Sequence, residues 1–189
     1  MPKHHLIFEG CELSGKSFLM SQVYDYLEKK HNSSKNLLNG CHWINCDVGI
    51  FGGPNSKPII NQYIEIIKNL KNENVILEKF HISDIIYQKM YNKKNVNYQK
   101  EEQLLQKLNT KIVFLKVSPS EKLFAQRLKD RLALYPHYKR IAKKPSWYIK
   151  QQEEYVKTIK ETNLPYLEID TTKLPNNNWR KILPWIGEK

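Results

Sequence analysis

The chain has 189 residues, 40% of them hydrophobic and 26% charged, with a formal net charge of +12. That composition suits one globular domain with a full core and excludes a disordered chain. No apolar run reaches the roughly 20 residues that span a bilayer, and the N-terminus carries no signal-peptide core, so a cytoplasmic protein with no membrane partner is expected. Cys11, Cys41 and Cys46 are too few and too scattered for a disulfide framework, and read as buried thiols rather than metal ligands. Of the 31 basic residues only 4 are arginine, in a chain rich in Asn and Ile. The lysine excess reads as coding bias spread over the surface, and it leaves nucleic acid open as a partner.

In chain order, Leu6-Ile7-Phe8 reads as a buried parallel strand. It runs into Gly10-Cys11-Glu12-Leu13-Ser14-Gly15-Lys16-Ser17, the spacing G-x-x-x-x-G-K-S of a phosphate-binding loop. Glycines let such a loop curl until its N–H groups face an anion, and the following helix offers its positive end to the same charge. Lys16 is expected on the outer phosphates and the Ser17 hydroxyl on Mg²⁺, so Gly10 to Phe18 forms the nucleotide cradle. Apolar residues from Phe18 to Leu27 recur at helical spacing, predicting a helix from Gly15 to about Lys30.

Cys41 to Cys46 reads as the second strand, ended by Asp47, and a glycine-rich break with Phe51 follows. Lys57-Pro58 opens a helix, and Val75-Ile76-Leu77 is a third strand that ends at Glu78. Helices are predicted over 82–91 and up to Leu108, then a strand over Lys111 to Val117. Pro119 starts the next helix, Pro136 breaks the pattern, and Pro145 opens a helix to about Thr162. A last strand spans Tyr166 to Asp170, and a short helix closes the chain over Trp179 to Ile186. The alternation predicts an α/β three-layer P-loop fold with a five-stranded parallel sheet. Its ligand crevice lies at the carboxyl ends of the strands, where Asp47, Glu78 and the loop meet. Acids there hold Mg²⁺, take a proton from an attacking oxygen, or cap a helix.

Arg127, Arg131 and Arg140 fall within fourteen residues after the fourth strand. In a lysine-rich chain this clustering points to a need for guanidinium geometry, against the plainer reading of a charged helix surface. The phosphate loop has no arginine of its own, so these three are the candidates to meet charge on a transferred group. Phe51, Phe80, Tyr87 and Tyr91 are aromatics available for stacking on a base, a residue type that equally fills cores.

The stretch Glu78-Lys79-Phe80-His81-Ile82-Ser83-Asp84-Ile85-Ile86-Tyr87-Gln88 resembles a thymidylate kinase motif, with Ser83, Tyr87 and Gln88 at that family's spacings. Phe8-Glu9-Gly10 and the acid Glu12 also match the family's loop, and the order of elements is similar over nearly the whole chain. The resemblance implies one P-loop kinase domain over 1–189 with a helical lid at roughly 127–145. It implies Glu12 near an acceptor sugar and Lys79 and Ser83 near an acceptor phosphate or base, while the fold alone sets the Thr171-Thr172 loop after the last strand beside adenine. Dimers are common in that family, so a homodimer is one expectation. Three departures stand out: Glu78-Lys79 replaces Asp-Arg, Phe18 replaces a Thr, and the arginine expected after the second strand is missing. The expected activity is ATP- and Mg²⁺-dependent phosphoryl transfer to a deoxynucleoside monophosphate. The alternatives are a nucleoside acceptor, a hydroxyl in nucleic acid, and a nucleotide-binding module without catalysis.

Overall fold

In a computed structural model, residues 3–46 and 49–188 are described; Asp47, a candidate site acid, lies outside the described residues. The strand β1 (His5–Glu9) is buried along its whole length. Alternating side chains on a strand point to opposite faces, and here each face meets its own core. Ile7 packs with Leu77 of β3 (Val75–Glu78) and with Ile112 and Phe114 of β4 (Lys111–Lys116). Leu6 and Phe8 point the other way, into a cluster with Ile76, Val113 and Leu115.

The first face is covered by α2 (Ser56–Asn69), α3 (His81–Tyr87), α4 (Gln99–Lys107), α5 (Glu121–Leu134) and α6 (Pro145–Thr158), which contribute Ile60, Ile86, Leu105, Phe124 and Tyr155. The second is covered by α1 (Lys16–His31) and α7 (Ile182–Ile186), through Leu19, Val23, Leu27 and Ile182. With β2 (His42–Asn45) and β5 (Tyr166–Asp170) the sheet is five-stranded and parallel, in the order β2-β3-β1-β4-β5. Register sets Phe8 opposite both Glu78 and Val113, so β1 delivers the glycine loop at the centre of the carboxyl edge. No helix among the described residues is long and apolar enough to cross a membrane.

Element boundaries differ from the sequence expectation in two places that matter. The edge strand β2 stops short of Cys41 and Cys46, although Cys46 N still donates to Glu78 O at 3.2 Å. The helix expected over 82–91 is α-helical only to Tyr87 and continues as a π-helical turn, Gln88–Asn92. The wider turn lets Gln88 Nε2 reach Gly53 O at 3.1 Å and Asn92 Nδ2 reach Gly52 O. The glycine-rich 49–53 loop is thereby fastened to the wall of the crevice.

Glu9 ties this arrangement together from beneath. Its carboxylate is fully buried and accepts from Phe80 N at 2.8 Å, Ser83 N at 3.2 Å and Ser83 Oγ at 2.5 Å. It thus caps α3 in place of a local side chain, since Phe80 at the N-cap supplies none. Burial raises its pKa, opposed by those hydrogen bonds. Replacing Glu9 with Ala leaves the buried N–H groups of Phe80 and Ser83 unpaired and is expected to destabilise the fold by about 2–4 kcal/mol in urea unfolding.

Glu102 on α4 supplies a pH-dependent tie. Burial opposes its charge, but donors from His81 Nε2, Thr162 Oγ1 and Asn163 N together hold its pKa down at about 2. A depressed carboxylate stabilises the folded chain above its unfolded pKa and loses that contribution as pH falls toward the folded value. Glu102→Gln should therefore cost about 2–3 kcal/mol at pH 7, with the gap to wild type narrowing at pH 3. A gap of constant size between pH 7 and pH 3 contradicts this account.

Candidate active site

The loop after β1 depends on its two end glycines. Gly10 has φ +150°, and a Cβ there would sit 2.7 Å from Leu115 O. Gly15 has φ +84°, and its Cβ would meet Leu174 Cδ1 at 2.4 Å. Leu13 between them also takes a positive φ of 62°. The backbone curls so tightly that Lys16 Nζ donates to Gly10 O at 2.9 Å and Cys11 O at 3.0 Å. Burial lowers the pKa of this ammonium, with Lys79 adding to the effect. An anion at the loop would relieve both penalties. The Ser14 hydroxyl is buried on the cleft wall with no hydrogen-bond partner among the described residues, a further donor at the same place.

Ser17 lies one residue into α1, and its Oγ donates to Glu78 Oε1 at 2.8 Å. Strand register brings the two together across 61 residues of sequence. A hydroxyl and a carboxylate are hard oxygen donors, the set that Mg²⁺ prefers. The next residue, Lys79, takes a left-handed φ of 59°, uncommon for a residue with a Cβ. Its Nζ lies 5.5 Å from the Tyr87 ring centroid on the same wall.

Three clasps then hold the loop in shape. Arg127 on α5 donates to Leu13 O at 2.7 Å and to the carbonyls of Thr171 and Thr172. From α6, Gln151 Oε1 accepts from Glu12 N at 2.8 Å, while Gln152 Oε1 accepts from Val117 N at 2.8 Å and Cys11 Sγ at 3.5 Å. The Glu12 carboxylate is shared by two phenols, Tyr87 from α3 and Tyr138 from the Pro136–Arg140 turn. Gln151, Gln152 and Tyr138 escaped the sequence reading. A Gln-Gln pair facing inward on a charged helix was the available signal for two of them.

The remaining candidates separate by burial. Phe51, Tyr87, Tyr91, Lys79, Glu78, Arg127 and Arg131 all line the cleft, together with Glu12 to Phe18. Phe51 packs against Tyr87, 6.2 Å between ring centroids. Phe80 does not stack in the cleft: it is fully buried in the core against Tyr63 and His81. Ser83 likewise lies beneath the site, bonded to Glu9 and to Tyr155 Oη at 2.8 Å, because capping of α3 turns it inward. Gly10 and Cys11 shape the loop from below; burial pushes the Cys11 thiol up to about 12. Arg140 is exposed and off the cleft wall, whereas Arg131 stacks 4.7 Å from the Tyr135 ring centroid and 5.4 Å from that of Tyr138. The three arginines thus differ: one clasp, one cleft-edge cation and one outward residue.

The cleft they surround has a volume of about 1210 Å³. Sites for one drug-sized ligand run to about 1,000 Å³, so this one has room for a nucleotide and a second ligand. The parallel sheet and glycine loop define the P-loop NTPase fold. No protein-family profile and no curated protein matches the sequence. Among solved structures, YorR protein from Bacillus subtilis, in complex with phosphorylated GDP, is similar over 96% of this chain and 94% of its own, with a TM-score of 0.65 at 18% identity. Thymidylate kinase from Ehrlichia chaffeensis is similar over 98% of this chain and 99% of its own, with a TM-score of 0.53 at 14% identity. At these identities the likeness is one of fold.

The clasp and the outward residue are separable by mutation. Arg127→Ala removes charged hydrogen bonds worth about 1.5–3 kcal/mol that hold the loop, and should weaken binding of a nucleoside phosphate added as a probe about tenfold. Arg140→Ala should leave that affinity within about twofold. Isothermal titration calorimetry on both variants reads the difference.

Proposed function

We propose that the protein is a P-loop kinase that moves the γ-phosphoryl group of ATP to a deoxynucleoside monophosphate. The observation that carries this reading is the Ser17–Glu78 pair at 2.8 Å beside Lys16, in a cleft sized for two ligands. The names of the two similar structures, one holding a phosphorylated nucleotide and one a thymidylate kinase, support it.

In this reading the loop N–H groups and Ser14 hold the phosphates of ATP. Lys16 exchanges its carbonyl partners for outer phosphate oxygens, and the exchange stabilises its charge. Ser17 and Glu78 would hold Mg²⁺, which would draw charge off the phosphate oxygens. Arg131 at the cleft edge meets charge on the transferring group, while Arg127 positions the loop. Glu12, Lys79, Phe51 and Tyr87 form the acceptor wall. A phosphate acceptor is already ionised, so this wall needs no strong general base. In this reading the lid is the helical segment expected at roughly 127–145, which spans the end of α5 and the Pro136–Arg140 turn.

One observation favours a second reading, transfer to a hydroxyl of a nucleic acid. Residues 121–150 hold nine Lys and Arg against two acids, a strong local surplus beside the cleft. The two readings part in one panel: ATP and Mg²⁺ with nucleosides, nucleoside monophosphates or a short oligonucleotide, followed by ADP release. Turnover confined to the oligonucleotide or to nucleosides sinks the monophosphate reading.

Lys16→Ala should lower kcat by at least about 100-fold with the active acceptor. Glu78→Gln should lower kcat about 10- to 100-fold and raise the Mg²⁺ concentration needed for half-maximal rate. An unchanged Mg²⁺ requirement would remove Glu78 from the metal.

A further inference from the structure

At the opposite end of β1 from the phosphate loop, three side chains from distant parts of the chain converge. His4 precedes β1, His31 is the last residue of α1, and Glu188 follows α7. His4 Nε2 lies 2.7 Å and His31 Nε2 2.9 Å from the same oxygen, Glu188 Oε1. The three ligand atoms all fall within 4.8 Å of one another. All three side chains are nearly inaccessible, at 6%, 3% and 4% exposure. We propose that His4, His31 and Glu188 form a binding site for a divalent transition-metal ion, with zinc the best chemical match.

Two imidazole nitrogens and one carboxylate, with an open fourth position, are a donor set that Zn²⁺ and its neighbours accept in tetrahedral geometry. As a purely hydrogen-bonded cluster, both imidazoles must place a proton on the nitrogen facing one oxygen. A metal ion replaces those two protons at the point where the three groups already meet. Bonds of about 2.0–2.1 Å at a tetrahedral angle set donor atoms about 3.3 Å apart, so the two nitrogen–oxygen gaps open by about half an ångström. The two imidazole nitrogens, within 4.8 Å of each other, must settle to the same spacing.

Lys30 Nζ sits 2.6 Å from the other oxygen, Glu188 Oε2. It leaves Oε1 facing the imidazoles and orients the carboxylate as an outer partner of a monodentate ligand does. The backbone around the site is fixed. His4 N donates to Asn74 Oδ1 at 3.0 Å, Asn32 N to Glu28 O at 2.9 Å, and Glu188 N to Leu183 O at 2.8 Å. The site is distinct from Ser17 and Glu78, which lie at the carboxyl edge of the sheet. Bound there, the ion joins the C-terminal segment to β1 and α1.

The test uses the full chain without a polyhistidine tag, stripped with chelator, and titrated with Co²⁺ and Zn²⁺. The expected result is one ion per chain, a tetrahedral Co²⁺ absorption band, and a rise in Tm of about 5–10 °C at saturating Zn²⁺. Excess Mg²⁺ should not displace the ion, since it prefers all-oxygen sites. His31→Ala and Glu188→Gln should each lower Zn²⁺ affinity at least tenfold. Absence of binding by the wild-type chain overturns the proposal, and this needs no variant to fold. Unchanged affinity in His31→Ala overturns it equally, because the ion then rests on other histidines.

Discussion

The buried carboxylate of Glu9 is the constraint on which the rest of the site depends. A carboxyl group placed at the end of the central strand, away from water, is tolerated only where hydrogen-bond partners surround it. Those donors are the first N–H groups of α3 and the Ser83 hydroxyl, so strand and helix are locked by the same three contacts. Between β3 and α3 the chain must turn within two residues, and Lys79 takes the left-handed backbone that this turn demands. The turn sets Lys79 on the cleft wall and Phe80 in the core. One buried carboxyl group therefore decides which neighbours face the cleft.

Around that anchor the glycine loop is held by groups drawn from every side. Arg127 grips a loop carbonyl from α5 and two carbonyls after β5. Gln151 takes the Glu12 amide from α6, and the two tyrosines take its carboxylate. Each contact is ordinary in strength, but together they leave the loop little freedom to rearrange. Such preorganisation is how a phosphate site avoids ordering itself when charge develops.

Much of this was legible in the sequence. The loop spacing, the short apolar strands and the proline-opened helices carry local signals, and all five strands lie where alternation placed them. Strand-end acids announced Glu78 because register needs only the order of elements. The inward fate of Phe80 and Ser83 was not legible, since it depends on Glu9, more than 70 residues away. Tyr138 was hidden for a similar reason: its partner is 126 positions distant and its own neighbours read as solvated lysines. Arginine clustering marked a segment that borders the cleft, but spacing alone could not say that the three side chains face different ways. The π-helical turn escaped because a helix stripe looks the same with or without one wider turn.

Cys11 gives the loop a property unrelated to phosphate. All three cysteines are free and buried, and the Cys11 thiol, at about 12, stays protonated at any cellular pH. The thiolate is the form that oxidants and electrophiles attack. A cysteine in the middle of a phosphate-binding motif would ordinarily invite alkylation or peroxide control. Turned under the loop and held against Gln152, this one is chemically silent. Among the described residues, accordingly, the cleft wall presents no thiol to reagents that enter it.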